Sequence, residues 1–272
     1  MRNSDSLSGF PLLHDYQLEE MWRTTQSTRQ SQGKRGREGW NWRQRVQYAV
    51  GHALNEYFEM EVGVRREIPV QYVLEKWWPK QPTGFESLFH YWDVKNKVSG
   101  ELSKICALNR DLSVPVMLYE QFCTSVPELE IDISLIVQSA WQLSAGADSL
   151  LIQKYIVDYN PNVIHTFQHL TNVFCYYAFG ALPQLIEVYC LLEGKKIRFI
   201  PGPTSLQQSL DYVWLLRDSR EDVHATTERC RCGACLGEQR SQGNSNRIDK
   251  NKKEQQEAKN RRERSWGPLL FS

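Results

Sequence analysis

The sequence predicts a mainly all-α protein: a multi-helix orthogonal bundle with a helix-turn-helix-like unit, a small cysteine knuckle able to hold metal, and disordered basic ends. Three observations carry that expectation. Apolar residues recur at helical spacing through most of 40–217, strand-like alternation is confined to KKIRFI at 195–200, and both ends are polar runs without hydrophobic period. With 272 residues, 41% of them hydrophobic and nine of them Trp, the chain can bury a substantial core.

Residues 1–38 end in TTQSTRQSQGKRGREG and are expected to form an unfolded arm. A helical region then spans 39–126. Its first helix carries Trp42, Val46, Ala49, Val50, Ala53, Leu54, Tyr57 and Phe58 on one stripe. PVQYVLEKWW forms a short helix that stops at Pro79 and Pro82, and FESLFHYWDVKNKVSGELSKICAL forms the next. LSVPVMLYEQFC follows, with Pro115 tolerated in the first turn of a helix starting near Leu112.

The core is placed at 127–222. ELEIDISLIVQSAWQL shows Ile133, Ile136, Val137, Ala140 and Trp141 at helical spacing, and SAGADS makes a turn. LLIQKYIVDY then follows, with Asp148 or Ser149 as its cap. Two helices joined by a Gly-containing turn form a helix-turn-helix arrangement, although an ordinary helical hairpin has the same pattern. NVIHTFQHLTNVFCYYAFGAL, PQLIEVYCLLEG and SLQQSLDYVWLLRD complete the expected helices.

Charge is segregated. Residues 1–45 carry eight Lys/Arg against five acids, 236–272 carry nine against five, and the intervening body carries sixteen against twenty-two. Basic ends on an acidic body suit arms that meet a polyanion such as duplex DNA. In the basic polar tail, 238–272, the candidate phosphate contacts are Lys252, Lys253, Arg261 and Arg262. On the helix-turn-helix they are Ser149, Gln153 and Lys154. No run of eighteen apolar residues is present, and the N-terminus lacks an apolar signal core, so no membrane partner and a cytoplasmic location are expected. Cys106, Cys123, Cys175 and Cys190 stand singly in apolar contexts, as reduced cysteines do.

The cysteine knuckle, 223–237, contains ERCRCGACLG. Cys232 and Cys235 form a C-x-x-C step, Cys230 offers a third sulfur and His224 a fourth ligand, a set suited to zinc. Arg229 and Arg231 would favour the thiolates. His165 and His169 are four apart, but Thr-Phe-Gln lies between them instead of a metalloprotease glutamate, so a structural role is expected. No phosphate-cradling loop, nucleophile elbow or paired-carboxylate motif is visible, and no enzymatic activity is expected.

LIEVYCLLEG, SLDYVWLLR and CRCGACLGE together resemble the FlhC family, the C subunit of the flagellar master regulator, which includes relatives that activate transfer genes of conjugative elements. The resemblance implies a helical transcriptional regulator with a four-cysteine zinc site, acting with an FlhD-like partner subunit. One register places zinc ligands on Cys232 and Cys235, or Cys230 and Cys232, and the helix-turn-helix near 129–160. Another places the helix-turn-helix on CALNRDLSVPVMLYEQF and the first knuckle on Cys190 and Glu193. The second cysteine pair of the family has no counterpart here. The alternative expectation is a helical protein–protein adaptor or structural protein of a mobile element, with no nucleic-acid role.

Overall fold

The centre of the protein is a mixed six-stranded sheet, not a helical bundle. The structure, a computed structural model, describes residues 9–27, 41–109, 112, 114–143 and 149–221. Among them the strands are β1 (Leu12–His14), β2 (Met117–Val126), β3 (Ile131–Gln142), β4 (Leu150–Ile156), β5 (Leu185–Cys190) and β6 (Lys195–Phe199). The helices are α1 (Asp15–Ser27), α2 (Trp42–Glu59), α3 (Val62–Glu67), α4 (Val70–Trp77), α5 (Leu88–Leu108), α6 (Pro161–Phe179) and α7 (Ser205–Glu221).

The strand β3 organises the sheet. β2 pairs with it antiparallel from Val126↔Ile131 to Met117↔Ala140. The opposite edge of β3 is divided. β1 runs parallel along its first residues (Leu12↔Asp132 to His14↔Ser134), and β4 runs antiparallel along its last (Ser139↔Gln153 to Gln142↔Leu150). β5 adds parallel to β4, with α6 as the crossover, and β6 closes the edge antiparallel. α1, α6 and α7 cover one face with Leu18, Phe167, Leu170, Val173, Phe174 and Val213. α2, α4 and α5 cover the other with Val50, Leu54, Leu74, Val98, Leu102 and Ile105.

The all-α expectation is therefore wrong, and the helix-turn-helix unit with it: ELEIDISLIVQSAWQL is β3 and LLIQKYI is β4. The physical reason is visible in the residues. Ile131, Ile133, Leu135 and Val137 alternate with Asp132, Ser134 and Gln138, a period of two that coexists with the helical spacing of Ile133, Ile136, Val137 and Ala140. β-branched side chains, stiff at χ1, tip such an ambiguous run towards a pleated surface. β4 is buried at all seven positions because helices cover both faces, so apolar residues flank the adjacent polar pair Gln153–Lys154 and no alternation shows. LIEVYC, expected as a helix and found as β5, is buried in the same way, whereas MLYEQFC, also expected as a helix, is found in β2, a partly exposed strand. The expected KKIRFI strand is β6.

Helices in the N-terminal region follow expectation. Asn41 and Gln44 form a reciprocal capping box at α2, and Ser87 caps α5 by accepting from the His90 amide. Asn160 accepts from the Asn162 and Val163 amides to open α6, with Pro161 in its first turn. Gly180 ends that helix at φ +78°, a conformation that favours glycine. Within the segment expected to be an unfolded arm, residues 12–27 instead form β1 and α1, because Leu13 and Leu18 are buried in the core. No helix among the described residues is long and apolar enough to cross a membrane.

Candidate functional site: two buried polar clusters on opposite faces of one strand

Gln153 and Lys154, expected to reach DNA from a recognition helix, are adjacent residues of β4. Strand geometry sends adjacent side chains to opposite faces. Both are buried, as is Ser149 just before the strand, and each of the two lies at the heart of a polar cluster. None of the three presents itself to a duplex, so the helix-turn-helix contacts are corrected. His224, Cys230, Cys232, Cys235, Lys252, Lys253, Arg261 and Arg262 lie outside the described residues.

The Gln153 cluster faces α2 and α5. Its Oε1 accepts from Trp141 Nε1 at 2.8 Å and from the Tyr155 hydroxyl at 2.9 Å. Its amide exchanges two bonds with Asn109, at 3.2 and 3.3 Å, where α5 ends. Its Nε2 donates to Glu187 Oε2 at 2.9 Å, directly across the β4–β5 pair. Burial opposes charge on Glu187, but Lys196 at 2.6 Å and the Gln153 and Tyr189 bonds outweigh it and hold the carboxyl below its ordinary range. Arg198 Nε, at 3.0 Å, joins the same oxygen as Lys196. Tyr155 and Tyr189 stack beneath, ring centroids 5.5 Å apart. This cluster ties four strands and one helix end together, and its donors and acceptors are engaged with one another.

The Lys154 cluster faces α1 and α6. The ammonium sits 3.4 Å from Asp15 Oδ2, 3.3 Å from Glu19 Oε2 and 4.8 Å from the Phe167 ring centroid. Burial works against the charge, yet Glu19 and Asp15 raise the lysine above its ordinary value. Glu19 also takes Arg23 Nη2 at 3.1 Å; burial opposes its ionisation, but Lys154 and Arg23 hold it below the usual range. Asp15 behaves oppositely: burial pushes its carboxyl up, and Lys154 offsets only part of that cost. Its Oδ1 has no hydrogen-bond partner. Asp15, Glu19, Lys154, Thr166 and Phe167 line a cavity of about 10 Å³, the size of one water.

Two residues beyond β4, Asp158 receives Arg23 Nη1 on one oxygen and Arg43 Nε, at 2.8 Å, on the other. Three carboxylates and three cations from α1, α2, β4 and the turn after β4 thus meet beside the start of α6. This is the carboxyl end of the parallel pair β4–β5, where open α/β sheets bind ligands. Sequence reasoning missed Asp15, Glu19 and Arg23 by assigning them to an arm. Leu18, Met21 and Trp22, spaced three and four apart behind Asp15, carried the signal of a helix there.

The two histidines are held by structural contacts. His169 stacks on Tyr212 with centroids 4.4 Å apart and shares a 3.0 Å bond with Ser209, and His165 meets Phe199 edge-on. Cys106, Cys175 and Cys190 are free thiols that burial pushes up to about 12, so they remain protonated and unreactive. No group of three or more His, Cys, Asp or Glu side chains suited to a metal ion occurs among the described residues.

No protein-family model matches the chain, and no curated protein matches it.

Proposed function

We propose that the protein is a DNA-binding transcriptional regulator that holds duplex DNA through its phosphates and acts in the cytoplasm with a partner subunit. The observation that carries the reading is the convergence of Arg23 and Arg43, from separate helices, on Asp158 at the carboxyl end of β4. Two guanidinium groups aimed at one small oxyanion are the geometry that also receives a phosphate. Arg43 is 46% exposed along its side chain, within reach of a backbone running past α2. The basic ends would add contacts of the same kind.

A partner subunit is supported by α7, the helical part of the stretch that resembles FlhC, where Trp214 and Leu215 are exposed. The buried free thiols are consistent with a reducing compartment.

Duplex affinity is expected to fall about a hundredfold between about 50 and 200 mM salt for roughly four phosphate contacts. Arg43→Ala should flatten the salt slope by about one. Absence of duplex binding at low salt, with and without a co-expressed partner, would overturn the reading.

Zinc on Cys230, Cys232, Cys235 and His224 belongs to the same proposal. Cys232→Ser is expected to abolish zinc content and lower Tm by about 4–8 °C, equivalent to about 2 kcal/mol. Unchanged zinc content and Tm in that variant would remove the metal.

A second reading, a protein–protein adaptor, is favoured by Leu88, Phe89 and Trp92 at the start of α5. Phe89 is 88% exposed, unusual for so large an apolar side chain. Binding to a protein partner that is indifferent to salt and to Arg43→Ala would select this reading.

A further inference from the structure

We propose that β1 and α1 form a displaceable strap whose carboxylates occupy a phosphate-binding face of the sheet, and that duplex DNA takes their place. The inference rests on the DNA-binding reading and adds to it the identity and regulation of the face.

The strap brings its own anions to the site. Lys154 is a buried cation whose carboxylate partners, Asp15 and Glu19, both come from α1. Thr166, beside it in the same cavity, receives Trp22 Nε1 at 2.9 Å, again from α1. Lifting the strap would take Arg23 away with its acids and expose the Lys154 ammonium and the Thr166 hydroxyl, which keeps its bond to Tyr212, while Arg43 of α2 stays with the sheet on Asp158. An ammonium, a hydroxyl and a guanidinium together form a donor set for phosphate oxygens.

The fit of the strap is imperfect where those acids sit. Asp15 Oδ1 is buried without a partner, and both carboxylates stand at 3.3–3.4 Å from the ammonium, long for a charge-assisted bond. Backbone attachment is slight: three residues of β1 on β3. Apolar contacts of Leu13, Leu18, Met21 and Trp22, together with the Arg23–Asp158 ion pair, hold the strap in place. Weakening those contacts raises the fraction of open protein; Trp22→Ala also removes the Nε1 bond to Thr166, whose hydroxyl keeps its bond to Tyr212, and leaves Lys154 and Arg43 untouched.

The test uses the full chain and three proteins: wild type, Trp22→Ala, and Trp22→Ala combined with Lys154→Gln. Hydrogen exchange over α1 reports opening, and anisotropy of a labelled 20-base-pair duplex at low salt reports binding. Trp22→Ala is expected to expose the α1 amides and tighten duplex binding about tenfold, the arithmetic of a tenfold larger open fraction. The double variant should lose that gain. Should Trp22→Ala not fold, Glu19→Gln, which removes one ionic latch, takes its place. An opened strap with no tighter binding, or a gain that survives loss of Lys154, overturns the proposal. If no protein in the set binds duplex, the DNA-binding reading fails. Calorimetry with inorganic pyrophosphate then decides the face by itself: binding to the opened variant alone supports it, and equal or absent binding overturns it.

Discussion

Gln153→Leu is expected to destabilise the protein by about 3–5 kcal/mol, the range for breaking a buried network that includes a charge. Leucine keeps much of the volume and removes every polar contact. Trp141 Nε1 and the Tyr155 hydroxyl lose their short bonds to Oε1, and Asn109 loses its reciprocal amide. Each buried donor left unsatisfied costs about 1–3 kcal/mol. Glu187 loses an Nε2 donor at 2.9 Å while still holding its charge against Lys196 and Arg198. Urea unfolding followed by far-UV circular dichroism measures the loss, and a change below about 1 kcal/mol would show that the network is not acting as a unit.

Lys154→Met is the second large effect, and it carries a pH signature. Methionine matches the stem of lysine and keeps contact with Phe167, but Asp15 and Glu19 lose their shared cation. About 3 kcal/mol of destabilisation is expected at pH 7. The sign of its pH dependence follows from the two carboxyls. In the parent protein Glu19 lies below its ordinary value, so its contribution is present above about pH 4.5 and is lost as pH falls. Without Lys154, both carboxyls are buried beside each other and are pushed up. A raised folded value means the protonated form is favoured in the fold, so the variant regains relative stability as pH falls. The gap between parent and variant should therefore narrow below about pH 5, read as Tm against pH. A gap constant from pH 4 to 8 would show that the ammonium is not what keeps these acids charged.

These expectations centre on adjacent residues of one strand, and that strand marks where the sequence was and was not legible. α2, α4, α5, α6 and α7 were readable because their apolar stripes, caps and glycine stop are local signals. β3 was not, because its run of Ile, Leu and Val satisfies periods of two and near four at once, and the neighbours that decide between them lie on other strands. β4, buried on both faces with Gln153 and Lys154 side by side, carries no alternation to read. The Lys154 cluster was hidden for a related reason. Its six charges come from α1, α2, β4 and the residues just after β4, which approach one another only after the sheet has formed. His165 and His169 were readable as structural from the residues between them, and their contacts with Phe199, Tyr212 and Ser209 agree.

The divided edge of β3 has a consequence for biosynthesis. The ribosome delivers Leu12 long before its sheet neighbour Asp132, so β1 waits for its seat. β4, α6 and β5, by contrast, are neighbours in sequence and can assemble as soon as they emerge. Until they do, Leu13, Leu18 and Trp22 have no surface to join, and β1 and α1 are a stitch in a seam cut much later.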